Sequence, residues 1–263
     1  MRERPAILRI AHRGFSEQFP ENTRAAFDAA LSTGVDGFET DLQMTSDGVI
    51  AIYHDKTLDK FGLKDRKVRE VDGPTWKSLD AGSWFSPKFR SEKPLTLDEL
   101  LGAYGRKTQI LLEIKGRGDP RLRELGRVAA RAVRREKLEL STWFLSFHSE
   151  ALEGAQEEEE HRIVLNIEEY PKDSKTLNAL MNLLPRLAAL STDVDILDQR
   201  VADLAGEAGV PLWCWTVNRE AQLETALQFG AQAVMSDRVQ WLVEKLPLVE
   251  PPAQTLPPRG GGI

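Results

Sequence analysis

Three short stretches carry residue types that can do chemistry together. Ala11-His12-Arg13-Gly14, Phe38-Glu39-Thr40-Asp41-Leu42 and Leu111-Leu112-Glu113-Ile114-Lys115 each close or continue a short apolar run. Glu39 and Asp41 are two residues apart, as are Glu113 and Lys115, so in extended chain each pair projects from one face. Three carboxylates converging on one rim repel unless a cation lies between them. An all-oxygen set of this kind suits a hard divalent ion, Mg2+ or Ca2+, with Mn2+ a further candidate. The competing expectation is that each acid pairs with a base such as Arg13 or Lys115.

Of the four histidines, His12 and His54 fall next to the predicted rim. An imidazole can take a proton and return it near neutral pH, so a facing pair suits general acid–base work. Arg13 offers a fork for phosphate oxygens and Lys115 a second positive charge, which points to an anionic substrate. His148, after Ser146-Phe147, is placed to border the pocket, whereas His161, beside the acidic run 157–160, is expected at the surface. Trp213 and Trp215 share a face of one strand. Core packing is the default for both, with Trp215 placed to wall a substrate pocket and Cys214 turned away as a small buried hydrophobe.

These residues need a frame to bring them together. Extended segments are predicted at 7–11, 36–42, 109–114, 142–147, 162–167, 187–190, 210–217 and 232–236, most of them followed by a helical pattern. Helices are expected after Glu21-Asn22-Thr23, where Asn22 or Thr23 can cap, and over 97–101, 122–133, 150–156, 177–184, 201–208, 221–229 and 239–246. Eight β-then-α units in about 250 residues predict a (β/α)8 TIM barrel, whose active sites gather at the C-terminal strand ends. A doubly wound open sheet is the alternative and commonly has fewer strands. The stretch 56–94 lacks steady periodicity and holds three glycines and three prolines, with Trp76, Trp84, Phe85 and Phe89 among polar residues. It reads as an insertion over the same end as His54, or as a peripheral excursion anchored by its aromatics. The expected organisation is a single barrel domain over 1–246 containing that insertion, then a Pro/Gly-rich disordered tail at 247–263.

Composition narrows the function classes. The chain has 263 residues, 41% hydrophobic and 29% charged, a net charge of −6 and one cysteine. A general nucleic-acid surface is excluded, and no intrachain disulfide can form. The short apolar start carries no signal peptide or membrane span, which predicts a cytoplasmic protein. Oligomeric state is not encoded in any pattern. The basic residues among 121–137 fall on the polar face of a helix and read as solvated.

In order along the chain, His12-Arg13-Gly14, Pro20-Glu21-Asn22-Thr23, Gly37-Phe38-Glu39-Thr40-Asp41-Leu42, Thr45-Ser46-Asp47-Gly48 and His54-Asp55 resemble the glycerophosphodiester phosphodiesterase family. Pro94-Leu95-Thr96-Leu97, Glu113-Ile114-Lys115, Ser146-Phe147 and Trp215-Thr216-Val217-Asn218 agree, and Ser236-Asp237 resembles the family's Thr-Asp with serine for threonine. The resemblance implies a barrel with a small insertion after its second β unit. It implies a divalent metal held by Glu39, Asp41 and Glu113, His12 and His54 as the acid–base pair, and Arg13 and Lys115 near the phosphate. Glu21 would orient Arg13 or only start a helix. The implied reaction splits a small glycerophosphodiester into an alcohol and sn-glycerol 3-phosphate through a cyclic phosphate. A lysophospholipase D-like enzyme, with an apolar entrance at Trp84, Phe85 and Phe89, is the alternative. A non-catalytic phosphodiester- or metal-binding protein is a third reading.

Overall fold

Alternate residues of the strands face two different apolar environments, and that alternation builds the barrel. Ile10, Leu111, Leu145, Val164, Ala189, Trp213, Ala233 and Met235 form an inner cluster. Their strand neighbours Ala11, Phe38, Leu112, Phe144, Ile163, Leu190, Cys214 and Val234 belong to the larger outer cluster, which packs against helices. Strands buried on both faces read as nearly continuous apolar runs, as parallel strands covered by helices should.

The computed structural model describes residues 7–116, 118–157, 161–169 and 186–247, with Asn178 and Asn182. The helix expected at 177–184, most of the acidic run 157–160 and the tail beyond Pro247 lie outside the described residues.

The elements in chain order are β1 (Leu8–His12), α1 (Arg24–Ser32), β2 (Gly37–Met44), β3 (Ile50–Ile52), α2 (Gly73–Ser78), α3 (Leu97–Tyr104), β4 (Gln109–Ile114) and α4 (Leu122–Glu136). There follow β5 (Thr142–Ser146), α5 (Ser149–Gln156), β6 (Arg162–Ile167), β7 (Leu187–Asp193), α6 (Gln199–Ala208), β8 (Leu212–Trp215), α7 (Glu220–Gln228), β9 (Ala233–Ser236) and α8 (Val239–Lys245). Eight of the strands pair in parallel in the order β1-β2-β4-β5-β6-β7-β8-β9, and β1 pairs with β9 to close a (β/α)8 barrel. All eight predicted strands are present, with ends displaced by at most three residues. The extended stretch after Gly48 is the ninth strand, β3, antiparallel to the far end of β2 (Leu42 opposite Ile52).

The aperiodic stretch 56–94 holds three 3-10 turns and one short helix, which explains why no single period runs through it. It carries its own small core, in which Leu58, Val68, Val71 and Trp76 pack with Ala51 and Tyr53. The Trp76 indole N–H donates to the Leu95 carbonyl at 3.0 Å. One expectation fails outright. His161 is buried, 3% exposed, because the chain enters β6 at the next residue and the ring lies edge-on to Phe144, 5.2 Å between centroids. Among the described residues no helix is long and apolar enough to cross a membrane.

Helices α4 and α5 approach through glycines. A Cβ on Gly126 would stand 2.0 Å from the Ala151 carbonyl oxygen, and one on Gly154 would stand 2.0 Å from that of Arg123. Glycine to alanine inside a helix ordinarily stabilises, by roughly 1 kcal/mol. Here overpacking against backbone should reverse the sign, costing about 1–3 kcal/mol. Gly126→Ala is expected to lower the urea midpoint. An unchanged or raised midpoint would show that the two helices can separate without cost.

Candidate active site

Strand register does the first work at the site. His12 of β1 lies opposite Glu39 of β2, and Asp41 of β2 lies opposite Glu113 of β4. The turn out of β1 is held in left-handed backbone, at Arg13 (φ 58°) and Gly14 (φ 79°), with Asn22 (φ 60°) returning to it. Such conformations cost a side-chain-bearing residue of order 1–3 kcal/mol and persist only when surrounding bonds fix them. The Arg13 amide donates to the Glu39 carbonyl at 3.0 Å, and the Asn22 amide donates to the Arg13 carbonyl at 3.0 Å. Asn22 is the position where the expected helix cap takes a different part. Thr23 caps α1, its hydroxyl oxygen accepting from the Ala26 amide. The Asn22 side chain instead donates to Asp41 Oδ2 at 2.8 Å and accepts from the Thr40 hydroxyl at 2.7 Å.

Glu39, Asp41 and Glu113 are all buried, and each offers an oxygen within 4.8 Å of the other two. Arg13 and Lys115 stand against them. Arg13 Nε is 3.4 Å from Asp41 Oδ2, and Lys115 Nζ is 2.7 Å from Glu113 Oε1 and 3.4 Å from Asp41 Oδ1. Both readings of the acids therefore apply at once: they pair with bases, and they also form a cluster. Two cations do not satisfy three carboxylates. Burial, with the charges of Asp41 and Glu113, pushes the Glu39 carboxyl well above its usual range. Glu113 is raised by burial against the pull of Lys115. Asp41 is also penalised by burial, but Lys115, Arg13 and the Asn22 hydrogen bond outweigh that and hold it well below the usual range.

The fit to a hard cation follows from what the carboxylates lack. Glu39 Oε1, Asp41 Oδ1 and Glu113 Oε1 are buried without a well-directed hydrogen bond; Lys115 reaches the last two only as an ion pair. Converging oxygens, one positive charge short of neutrality, are the donor set a hard divalent ion takes. A second acidic group, Glu21, His54 and Asp55, does not have this deficit. The Lys60 ammonium sits 2.9 Å from both Glu21 Oε1 and Asp55 Oδ2, where a cation would otherwise belong. Glu21 also accepts from Arg13 at 3.2 Å, so it orients the guanidinium rather than merely opening a helix.

The two histidines are each oriented by an aspartate. His12 Nδ1 is 2.7 Å from Asp237 Oδ1, which leaves Nε2 pointing into the site, 3.9 Å from Glu39 Oε2. His54 Nδ1 is 2.8 Å from Asp55 Oδ1. His54 and Lys60 bring the Asp55 carboxyl down to about 2. Asp237 is fixed in turn by the Ser16 hydroxyl (2.9 Å) and the Asn218 amide (2.7 Å). Burial and the Arg13 charge lower the His12 pKa, while Asp237 opposes them.

His12, Arg13, Glu39, His54, Glu113, Lys115 and Trp215 line one cavity of about 220 Å³ at the C-terminal end of the barrel. A larger cleft of about 620 Å³ shares His54, Glu113, Lys115, Phe147 and Glu168 with it and reaches His148. All ten candidate residues named from sequence thus fall at this end. The sequence reading did not assign roles to Asp237, Asn218, Lys60 or Asn166. Asp237 was within reach, because closing a barrel puts the residue after the last strand beside the end of the first. Trp84, Phe85 and Phe89 line neither cavity. Phe85 packs on Phe89, Phe89 on Phe19, and Lys60 covers the Trp84 ring.

A closed (β/α)8 barrel with its polar cluster at the strand C-termini is an enzyme architecture. The comparison with known proteins is specific: over residues 12–241 the chain belongs to the glycerophosphoryl diester phosphodiesterase family. It is an enzyme of that class. A glycerophosphodiester phosphodiesterase of Caldanaerobacter subterraneus subsp. tengcongensis is 28% identical over 253 residues, 90% of this chain and 96% of that protein. Bacillus subtilis YhdW is 41% identical over 107 residues, 41% of this chain and 44% of that protein. Among solved structures, an Oleispira antarctica phosphodiesterase in complex with the product sn-glycerol-3-phosphate has a TM-score of 0.77 at 28% identity, covering 90% of this chain and 95% of that one.

Removing the Asp237 charge should drop the His12 pKa further, since Asp237 is a group that raises it. In Asp237→Asn, the His12 titration followed by NMR in metal-free protein is expected at lower pH than in wild type. An unmoved or higher titration would mean that the aspartate does not act on the ring.

Proposed function

We propose that the protein hydrolyses small glycerophosphodiesters to an alcohol and sn-glycerol 3-phosphate, with a divalent cation, Mg2+ or Ca2+, held by Glu39, Asp41 and Glu113. The observation that carries this reading is the set of buried, hydrogen-bond-deficient carboxylate oxygens beside Arg13 and Lys115 in a cavity that also receives two histidines. A cation bound there supplies Lewis acidity to a phosphoryl oxygen and to the glycerol 2-hydroxyl.

The residues of the chain do the rest. Arg13 and Lys115 bind the non-bridging phosphate oxygens and offset the charge that grows on them in the transition state. His12 and His54 divide the proton work. One takes the 2-hydroxyl proton as that oxygen attacks phosphorus, giving a cyclic phosphate, and the other protonates the departing alcohol. With roles reversed, the pair activates water and opens the ring. Asp237 and Asp55 hold each imidazole so that its Nε2 is the exchanging atom. Trp215 Nε1 and Asn166 Oδ1, on the wall of the inner cavity, have no hydrogen-bond partner among the described residues, which suits them to glycerol hydroxyls. His148 borders the adjoining cleft.

A lipid diester is not favoured. An acyl chain needs an apolar wall, and Phe85 and Phe89 spend their surfaces on each other and on Phe19. A binding protein without turnover would have no use for two histidines each oriented by an aspartate.

A screen of diesters against Mg2+, Ca2+ and Mn2+, with EDTA as control, is the direct test. Turnover is expected to vanish in EDTA and return with a divalent ion. His12→Ala and His54→Ala should each lose about 10²–10⁴-fold in kcat, the usual share of a general acid or base; a loss under about threefold would remove that residue from the mechanism. By calorimetry, Glu39→Gln should bind the divalent ion at least about tenfold more weakly, and unchanged affinity would leave only the ion pairs.

A further inference from the structure

The two cavities are joined but chemically unlike. The inner one, about 220 Å³, is shut in by Leu145, Met235, Trp215 and Phe147 and fits a small polyol. The outer one, about 620 Å³, lies within the range of small-molecule sites. They meet at His54, Glu113 and Lys115, which is where the phosphate must sit if the proposed function holds. The glycerol arm then occupies the inner cavity, and the alcohol that leaves has only the outer cleft to occupy.

The charge of that cleft is set by which side chains are already engaged. Its acids are Asp55, Glu113, Asp119 and Glu168, and none of the four is without a partner. Asp55 is bound by His54 and Lys60, Asp119 is held by Arg121 at 3.1 Å, and Glu113 is bound by Lys115. Its outer bases are not neutralised in this way. Among the described residues no carboxylate pairs with the ammonium of Lys56 or Lys67, both lining the cleft, and the Arg69 guanidinium donates to the Gly118 carbonyl at 3.2 Å, with no ion pair closer than its longer-range attraction to Asp119. The lining thus carries four basic side chains, Lys56, Lys67, Arg69 and Lys115, against four acids, in a chain whose net charge is −6. Among the described residues Phe147 is the one Phe, Tyr or Trp lining the cleft, and a single ring does not make an aromatic cage for a quaternary ammonium.

We propose that the outer cleft is the leaving-alcohol subsite, and that Lys56, Lys67 and Arg69 select diesters whose alcohol bears a further anionic group, a phosphate or a carboxylate. The inference rests on the proposed phosphodiesterase reading and adds the class of alcohol that the site prefers. A second anion entering the cleft replaces hydration of these cations by charge-assisted hydrogen bonds. A choline or ethanolamine head group meets like charge.

The test uses matched substrates. Glycerophosphoinositol and glycerophosphoinositol 4-phosphate differ by one phosphate, and glycerophosphoethanolamine and glycerophosphoserine differ by one carboxylate. The expected kcat/KM favours the more anionic member of each pair by about fivefold or more, the upper end for one exposed charge pair. The preference is expected to fall below about twofold in Lys67→Ala/Arg69→Ala, to persist in the charge-keeping Lys67→Arg, and to shrink with added salt. The ratio is taken within each variant, so a loss of stability does not mimic the result. Equal turnover within both pairs, a preference for glycerophosphocholine, or a ratio unchanged in the double variant would overturn the inference and leave the phosphodiesterase reading standing. Failure of wild type to hydrolyse any of these diesters with any divalent ion would overturn both.

Discussion

Three carboxylates are held within a few ångströms of one another, almost wholly buried. Glu39 and Asp41 are 1% and 0% exposed, and Glu113 is 7% exposed. An isolated ionised carboxylate in such surroundings costs several kcal/mol even after the protein relaxes. The local structure can be understood as an answer to that cost. Arg13 and Lys115 lie against the cluster, Asn22 donates into it, and Glu21 and Lys60 extend the alternation of sign outward. The compensation stops short of neutrality, and Glu39 shows the shortfall in its raised pKa. A site left one positive charge short is prepared for a cation without having to rearrange around it.

That arrangement is made possible by strand register more than by any single side chain. β2 contributes two acids because it is the strand with a histidine-bearing neighbour on one side and an acid-bearing neighbour on the other. A slip of one residue would turn Glu39 and Asp41 into the layer of helices, where Phe38, Thr40 and Leu42 now lie. The hairpin with β3 takes over where β1 ends, so the last residues of β2 remain paired up to the point where His54 follows. The barrel thereby brings both histidines to the cavity that the acids line.

Most of the frame was legible in sequence because parallel strands buried on both faces leave apolar runs of the right length, and the turns between them carry glycine at left-handed positions such as Gly34 and Gly209. The acids, Arg13, Lys115 and both histidines were legible for the same reason: they stand at the ends of those runs. What sequence did not give was long-range partnership. Asp237 is 225 residues from His12, and Lys60 is 39 from Glu21, and nothing local marks either pair. His161 was misplaced because proximity to an acidic run says nothing about a ring that turns inward one residue before a strand. The stretch 56–94 was opaque because its order comes from one tryptophan and a few turns, with no repeating period to read.

The closure of β1 onto β9 has a consequence for the growing chain. The acids and Lys115 are complete once residue 115 has been made, but the aspartate that aligns His12 arrives with the final strand. Synthesis runs from the N-terminus, and a contact of such long range forms only after the intervening segments have folded. The three clustered acids are thus synthesised well before the aspartate that orients His12. Alignment of the His12 ring therefore waits on closure of the barrel, with the last strand as its timer.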